Sequence, residues 1–373
     1  MSETAHDAEP SRGTPADLPT VAAVVVNYDG GADRLNKTID ALLDQPFPLT
    51  GIVLVDGGSS DGSQAQAVER YPQVKFIQLN DNPGPCATRN AGVDAADADL
   101  VLLLDSDVYV DTNTIERMTR AMVEQGADVV CPRIRLVPER DQVQAQGGDV
   151  HYVGAIALRH GWQSVEETPT TREAVQTAIS ACLLVKKSCY QDVGGFDELL
   201  FFYYEDLEFG LRTRLMGYDM VCEPTAEVFH ERSAGTPGLS FRGKEKKYPQ
   251  RRGYLQTRNR LIILVTHYRL WTLLVLSPAL LLYELLGLAM AATKGYLPRW
   301  FAAWGWVFAN LPMLWKRRRA VQAKRKRADR DLFSGGPLPL APGIRGSGAK
   351  AALIGVIDSL IDLYWRLAKH VLC

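Results

Sequence analysis

The sequence predicts an α/β protein with a mixed, mostly parallel sheet flanked by helices, followed by C-terminal membrane-associated helices. Three observations predict it. Short apolar, β-branched runs alternate with helical patterns over residues 21–130, each run ends in a Gly, Asp or Asn loop, and the chain turns apolar and tryptophan-rich after residue 270. Strands alternating with helices imply parallel pairing through right-handed crossovers. In such sheets ligands bind outside the carboxyl ends of the strands.

The elements follow in order. Val21–Val26 is a buried strand ended by Asn27-Tyr28-Asp29-Gly30-Gly31, and Leu35, Ile39, Leu42 and Leu43 recur at helical spacing behind it. Ile52–Val55 is a second buried strand that ends in Asp56-Gly57-Gly58-Ser59-Ser60-Asp61-Gly62-Ser63, after which a helix begins. Val74–Leu79 reads as a third strand, Cys86–Ala95 as a helix and Leu100–Leu104 as a fourth strand. Ala178–Val185 looks strand-like. From Glu205 the pattern is helical, with Leu207, Leu211 and Leu215 on one face.

Asp105-Ser106-Asp107 stands directly behind the fourth strand. In an extended chain residues 105 and 107 point to the same side, and two carboxylates there suit a hard divalent cation, Mg²⁺ or Mn²⁺. Such a cation would hold a diphosphate. A surface turn built of Asp and Ser is the plainer alternative for this tripeptide alone. The polar ends at Asn27–Asp29, Asp56–Asp61 and Asp105–Asp107 converge on one crevice if the sheet is as read, and that convergence weighs more than any single motif. Glu205 and Asp206 open their helix, where simple capping is the competing explanation.

Composition adds limits. The chain carries 42 basic and 43 acidic side chains, so overall charge gives no reason to expect a nucleic-acid partner. Residues 1–18 read as a disordered polar tail with no apolar leader. The six cysteines lack paired metal spacing and are assigned no chemistry. Trp271–Thr293 is long enough to cross a bilayer, with Glu284 its one charge; Tyr296–Trp315 is a second candidate, interrupted by Pro298, Asn310 and Pro312. Six of the seven tryptophans lie after residue 270 and the basic block Lys316–Arg319 follows, which puts that block on the cytoplasmic side. Two crossings would return the chain to the side of the N-terminal domain; interfacial helices that do not span are the alternative. Gly335–Gly348 is a linker, and residues 349–372 form an amphipathic helix with Asp358, Asp362, Arg366 and His370 on one face. The expected divisions are a tail (1–18), a catalytic domain (19–262), two membrane helices or a hairpin (263–316), a basic and Gly/Pro-rich linker (317–348) and the amphipathic helix (349–373).

In their order these motifs resemble a family 2 glycosyltransferase of the GT-A fold, of the inverting, membrane-associated, rhamnosyltransferase-like kind. Val25-Val26-Asn27-Tyr28 resembles the strand that cradles the nucleotide base. Val55–Ser63 is similar to the D-x-x-S-x-D-G-S stretch, with Gly57 where Asn is more usual. Gly84–Gly92, with Arg89-Asn90, resembles G-x-x-x-x-R-N-x-G. Asp105-Ser106-Asp107 matches D-x-D. Gly194-Gly195-Phe196-Asp197-Glu198 followed by Glu205-Asp206 matches the acceptor-side motif. The resemblance implies a nucleotide-sugar donor held by Asn27, Asp56, Arg89, Asp105 and Ser106, with Asp56 hydrogen-bonded to the base. It implies a Mg²⁺ or Mn²⁺ ion held by Asp107, Asp105 and His230. It makes Asp206 the general base of one direct, inverting displacement, with Glu205 orienting the acceptor or Asp206.

Arg251, Arg252, Arg258 and Arg260 precede the apolar segment and are candidates for the phosphates of a lipid-linked acceptor or of the bilayer. The expected activity is therefore transfer of a sugar to a lipid-linked or glycan acceptor, at the cell membrane, by a catalytic domain on its cytoplasmic side. A synthase that charges a polyprenyl phosphate is the runner-up, and a non-catalytic nucleotide-binding scaffold is the reading from another class. Donor sugar and oligomeric state, a homo-oligomer included, stay open.

Overall fold

A computed structural model describes residues 18–231, 249–340 and 347–372. The expected N-terminal tail lies almost wholly outside the described residues, as does the middle of the Gly/Pro-rich linker.

The first half runs β1 (Val21–Asn27), α1 (Ala32–Leu43), β2 (Leu49–Asp56), α2 (Ser63–Arg70), β3 (Lys75–Gln78), α3 (Pro85–Ala95), β4 (Leu100–Asp105), β5 (Val108–Val110) and α4 (Thr114–Gln125). It continues through β6 (Val129–Val137), β7 (Val143–Ala145), β8 (Gly148–His151), β9 (Ala155–Leu158), β10 (Glu173–Val175), β11 (Cys182–Lys186), α5 (Lys187–Val193), α6 (Glu205–Leu215) and β12 (Met220–Glu231). The helical part comprises α7 (Gln250–His267), α8 (Leu270–Lys294), α9 (Leu297–Ala309), α10 (Leu311–Ala323), α11 (Asp329–Leu332) and α12 (Gly348–Ala368).

The main sheet has the order β10-β12-β6-β11-β4-β1-β2-β3. β1 to β4 are parallel, β11 lies antiparallel between β4 and β6, and β12 is parallel to β6. The mixed, mostly parallel sheet is thus as expected. Its central strands are buried on both faces, which is why they read as continuous apolar runs rather than alternating ones. α1 and α4 fill one face with Leu35, Ile39, Ile115 and Met118; α3 and α6 fill the other with Val93, Leu207 and Leu211. The five cysteines among the described residues are free and buried in this core.

The structure redraws the C-terminal part. The expected boundary after residue 262 falls inside α7, whose Leu261–Leu264 lie in the catalytic core. The second expected crossing is no single helix. It breaks at Asn310 into α9 and α10, 13 residues each, and about 20 Å of helix does not cross a hydrocarbon layer of about 30 Å. α8 alone among the described helices is long and apolar enough to cross, by length and composition.

Candidate active site

Three strand ends stand side by side. Asn27 of β1 is in register with Asp56 of β2, and Val26 with Asp105 of β4. Neighbouring strands lie about 4.8 Å apart, so their polar termini form one floor.

Asp56 organises the β2 end. Its carboxylate accepts from the backbone N–H groups of Gly58 (3.0 Å) and Ser59 (2.8 Å), the Ser59 hydroxyl, Gln78 (2.8 Å) and Asn27 Nδ2 (2.8 Å). Burial opposes its ionisation, yet these donors hold its pKa below the ordinary carboxylate value. The expected contact with the base therefore has no free oxygen to make it, and Asp56 serves to shape the loop. The β1 loop is braced to it: Asp29 accepts from Ser60 N (2.7 Å) and Asp61 accepts from Gly31 N (2.9 Å). Gly30 is required here, because a Cβ would fall 2.5 Å from both Asn27 Oδ1 and Ser106 Oγ.

Arg89, on α3, donates from Nη2 to Asp105 Oδ1 at 2.6 Å and stacks 5.2 Å from the Phe196 ring. Its side chain is 3% exposed, and its Nε and Nη1 have no hydrogen-bond partner. Asp105, Glu205 and Asp206 together compensate the buried guanidinium. Asn90, next to it, accepts from Phe196 N and donates to Phe196 O, which fixes the Gly194-Gly195-Phe196 turn under Arg89.

Glu205 and Asp206 open α6 in buried surroundings. Ser180 N donates to Asp206 Oδ1 at 3.0 Å, and the adjacent Ala181 O accepts from Asp105 N at 3.1 Å. The entrance of β11 therefore links the two acidic motifs directly. Burial raises both pKa values; the Asp206 charge pushes Glu205 up further, to about 8, and the Asp105 charge raises Asp206, against the Ser180 hydrogen bond and Arg89, which lower it. Glu205 Oε2 lacks a partner, whereas Asp206 has the Ser180 N–H. Of the two, Glu205 is the carboxyl that holds its proton more strongly, because Asp206 alone has a backbone N–H donor.

The loop ahead of this pair is strained. Phe201, Tyr203 and Tyr204 all have positive φ, between 65° and 70°. Asn259 of α7, fully buried, donates to the carbonyls of Leu200, Phe202 and Tyr203 at 2.7–3.0 Å and holds it. Sequence reading missed Asn259, which stands in the polar stretch Gln256–Arg260 where no local signal separates it from its neighbours.

His230 reaches the site through long-range pairing. β5 lies antiparallel to β12 with His230 opposite Val108, which sets the imidazole beside Asp107. His230 Nδ1 donates to Gln144 Oε1 at 2.7 Å, and Nε2 faces Asp107 Oδ1 at 3.5 Å. No cluster of three His, Cys, Asp or Glu side chains among the described residues is poised for a metal. The Asp107–His230 pair fits an ion that completes its shell with diphosphate and water. Gln144 was also missed, and no local signal marks it.

The four arginines divide. Arg251 and Arg252 lie over the rings of Phe201 and Tyr203, at 4.5 and 4.9 Å. Arg258 donates to Leu199 O and Leu200 O, and Arg260 is buried against Val153 O and Glu284. Neither of the last two is available to a lipid phosphate, because internal acceptors occupy them.

Known proteins resemble the chain in sequence and in fold. A model described as Glycosyl transferase family 2 matches residues 22–194. The chain is 30% identical over 243 residues to N-acetylglucosaminyl-diphospho-decaprenol L-rhamnosyltransferase of Mycobacterium tuberculosis, covering 59% of this chain and 77% of that protein. It is 26% identical over 165 residues to hyaluronan synthase of Streptococcus pyogenes, covering 42% of this chain and 39% of that one. In fold it is similar to residues 1–349 of S. aureus TarS in complex with UDP-GlcNAc (TM-score 0.52, 16% identity, 94% of this chain and 90% of that one). It is similar also to GalNAc-T7 with UDP, GalNAc and Mn²⁺ (TM-score 0.54, 15% identity, 67% and 48%).

Proposed function

Since this chain belongs to the family 2 glycosyltransferases, enzymes that act on nucleotide sugars, we propose that it moves one sugar, with inversion, to a hydroxyl of a lipid-linked acceptor at the cytoplasmic face of the cell membrane. The likeness to the mycobacterial rhamnosyltransferase supports a diphospho-polyprenol glycan as acceptor and makes a nucleoside-diphosphate deoxyhexose the first donor to test. The observation that carries the mechanism is the Ser180–Ala181 bridge between Asp206 and Asp105.

Asn27, Ser106 and the loop shaped by Asp56 receive the nucleotide. Arg89, with two unpartnered N–H groups beside Asp105, donates to the donor's oxygens. Asp206 takes the proton of the attacking hydroxyl while protonated Glu205 hydrogen-bonds the acceptor. Mg²⁺ or Mn²⁺ held by Asp107 and His230, with Asp105 adjacent, would neutralise the charge on the departing diphosphate. Arg251 and Arg252, at the rim beside Phe201 and Tyr203, would meet the acceptor's phosphates.

The test is Asp206→Asn in a donor-consumption assay with a polyprenyl-diphosphate sugar as acceptor. Turnover should fall by about 10³-fold, while donor affinity measured by calorimetry stays within about twofold. Unchanged turnover would remove Asp206 from its role. Product formed with polyprenyl phosphate alone would instead identify a polyprenyl-phosphate sugar synthase.

A further inference from the structure

α8 passes the length test for a membrane span, yet it is fastened to the catalytic domain at both ends and in the middle. At its start, Arg269 N donates to Asp329 at 2.9 Å and Trp271 Nε1 to Val371 O at 3.0 Å. At its end, Gly295 O accepts from Gln250 in the first turn of α7 at 2.8 Å. At its midpoint Glu284 pairs with Arg260 of α7, whose guanidinium sits 4.3 Å from the Tyr283 ring and donates to Val153 O at 2.6–2.8 Å. Gln250 and Arg260 of α7 thus meet Gly295 and Glu284, and only residues 268 and 269 separate the two helices, so α8 runs back antiparallel to α7. A bilayer-spanning α8 would carry Arg251, Arg252, Arg258 and Arg260, and the loop ahead of Glu205, into hydrocarbon. Each arginine at the centre would cost about 3 kcal/mol on insertion scales.

The outward face is apolar nonetheless. Trp271, Leu274, Leu281 and Leu285, one stripe at helical spacing, are 53–64% exposed. α12 lies beside α8, joined to it by the Tyr364 hydroxyl on Val275 O. Asp358 and Asp362 turn inward to accept from Leu338 N and Gly336 N, whereas Leu353, Val356, Leu360, Leu363 and Leu367 stand exposed. A helix on a water-facing surface is apolar on one side only; this one buries Ile361, Trp365 and Ala368 and still exposes five apolar side chains on its outer side. Charge names the occupant: residues 263–328 carry eleven Lys and Arg against the single Glu284. Lys294, Arg299, Lys316 and Arg319 are exposed and have no carboxylate partner among the described residues. Six of the seven tryptophans lie after residue 270, as at a membrane interface.

We propose that α8 and α12 form a raft that lies flat in the surface of an anionic lipid bilayer, and that neither helix crosses it. This deepens the membrane-face reading above and rests on it. α7 then runs just above the lipid headgroups, and its first turn touches both the end of α8 and the aromatic rim of the cleft.

The experiment uses the full chain with Cys373→Ser, spin-labelled singly at Leu274→Cys, Leu281→Cys, Leu285→Cys or Met290→Cys. Vesicles contain phosphatidylcholine with or without about one third phosphatidylglycerol. Flotation with anionic vesicles, at least tenfold weaker on pure phosphatidylcholine, and a common label depth of about 5–10 Å are expected. Leu274→Glu/Leu281→Glu/Leu285→Glu should keep its helical circular dichroism and lose flotation. Depth that runs through the bilayer centre over the roughly 24 Å from residue 274 to 290 overturns the raft and leaves the membrane-face reading standing. No flotation, or a discrete dimer that buries the labels, overturns both. Donor hydrolysis by the same samples reports independently on the catalytic reading.

Discussion

The two acidic centres of the cleft are built on opposite principles. Asp56, on the donor side, accepts five hydrogen bonds and is held ionised. Glu205 and Asp206, on the acceptor side, are buried and half-buried respectively and have few donors, and desolvation drives their pKa values up. The first is a scaffold whose charge is satisfied before substrate arrives. The second keeps its carboxyls poorly satisfied, directly behind a loop with three positive-φ residues, the setting that the proposed proton transfer to Asp206 needs. Rigidity serves the side that grips; stored unfavourable energy serves the side that reacts.

That contrast can be broken most severely from the donor side. Asp56→Ala strands five donors, so it should cost at least about 3 kcal/mol of stability and abolish donor binding, as urea melts and calorimetry would read. The acceptor side should respond in rate before stability. Asn259→Ala frees three carbonyls of the strained loop; we expect about 2 kcal/mol of destabilisation and a fall in kcat of tenfold or more, with the donor KM nearly unchanged. A KM effect as large as the kcat effect would place Asn259 elsewhere in the mechanism. Gln144→Leu releases the Nδ1 proton of His230 and should weaken Mn²⁺ binding by about tenfold or more, read by electron paramagnetic resonance of the free ion; unchanged affinity would show that the amide does not fix the ligand.

The smallest effect concerns Glu205. Its pKa is raised in the fold, so its protonated form contributes stability that is fully present below its unfolded value. That stability is lost as pH rises through about 8. Glu205→Gln should therefore match the wild-type melting temperature near pH 4 and exceed it by a few degrees at pH 9. Parallel melting curves across that range would mean that the carboxyl is not held protonated.

How much of this is legible in the sequence follows contact range. Asn27, Asp56 and Asp105 were readable because each is the residue where an apolar strand stops, and parallel strands with right-handed crossovers leave one place for such ends. Glu205-Asp206 was readable from its motif and its position at a helix start. β6 and β12 were not read at all, and with them went the reason His230 meets Asp107. Gln144 and Asn259 act on partners 86 and 56–59 residues away, and no local periodicity encodes such distances.

The sequence by itself determined the alternating sheet, the polar strand ends and an apolar, basic C-terminal part, because burial pattern and turn chemistry are local properties. Only the tertiary structure decided that Asp56 is saturated and Asp206 is not, that Arg258 and Arg260 are internal, and that α8 lies along α7. Hydrogen-bond saturation and ion pairing depend on which distant groups arrive at a carboxylate or a guanidinium, and that is fixed only when the chain closes on itself.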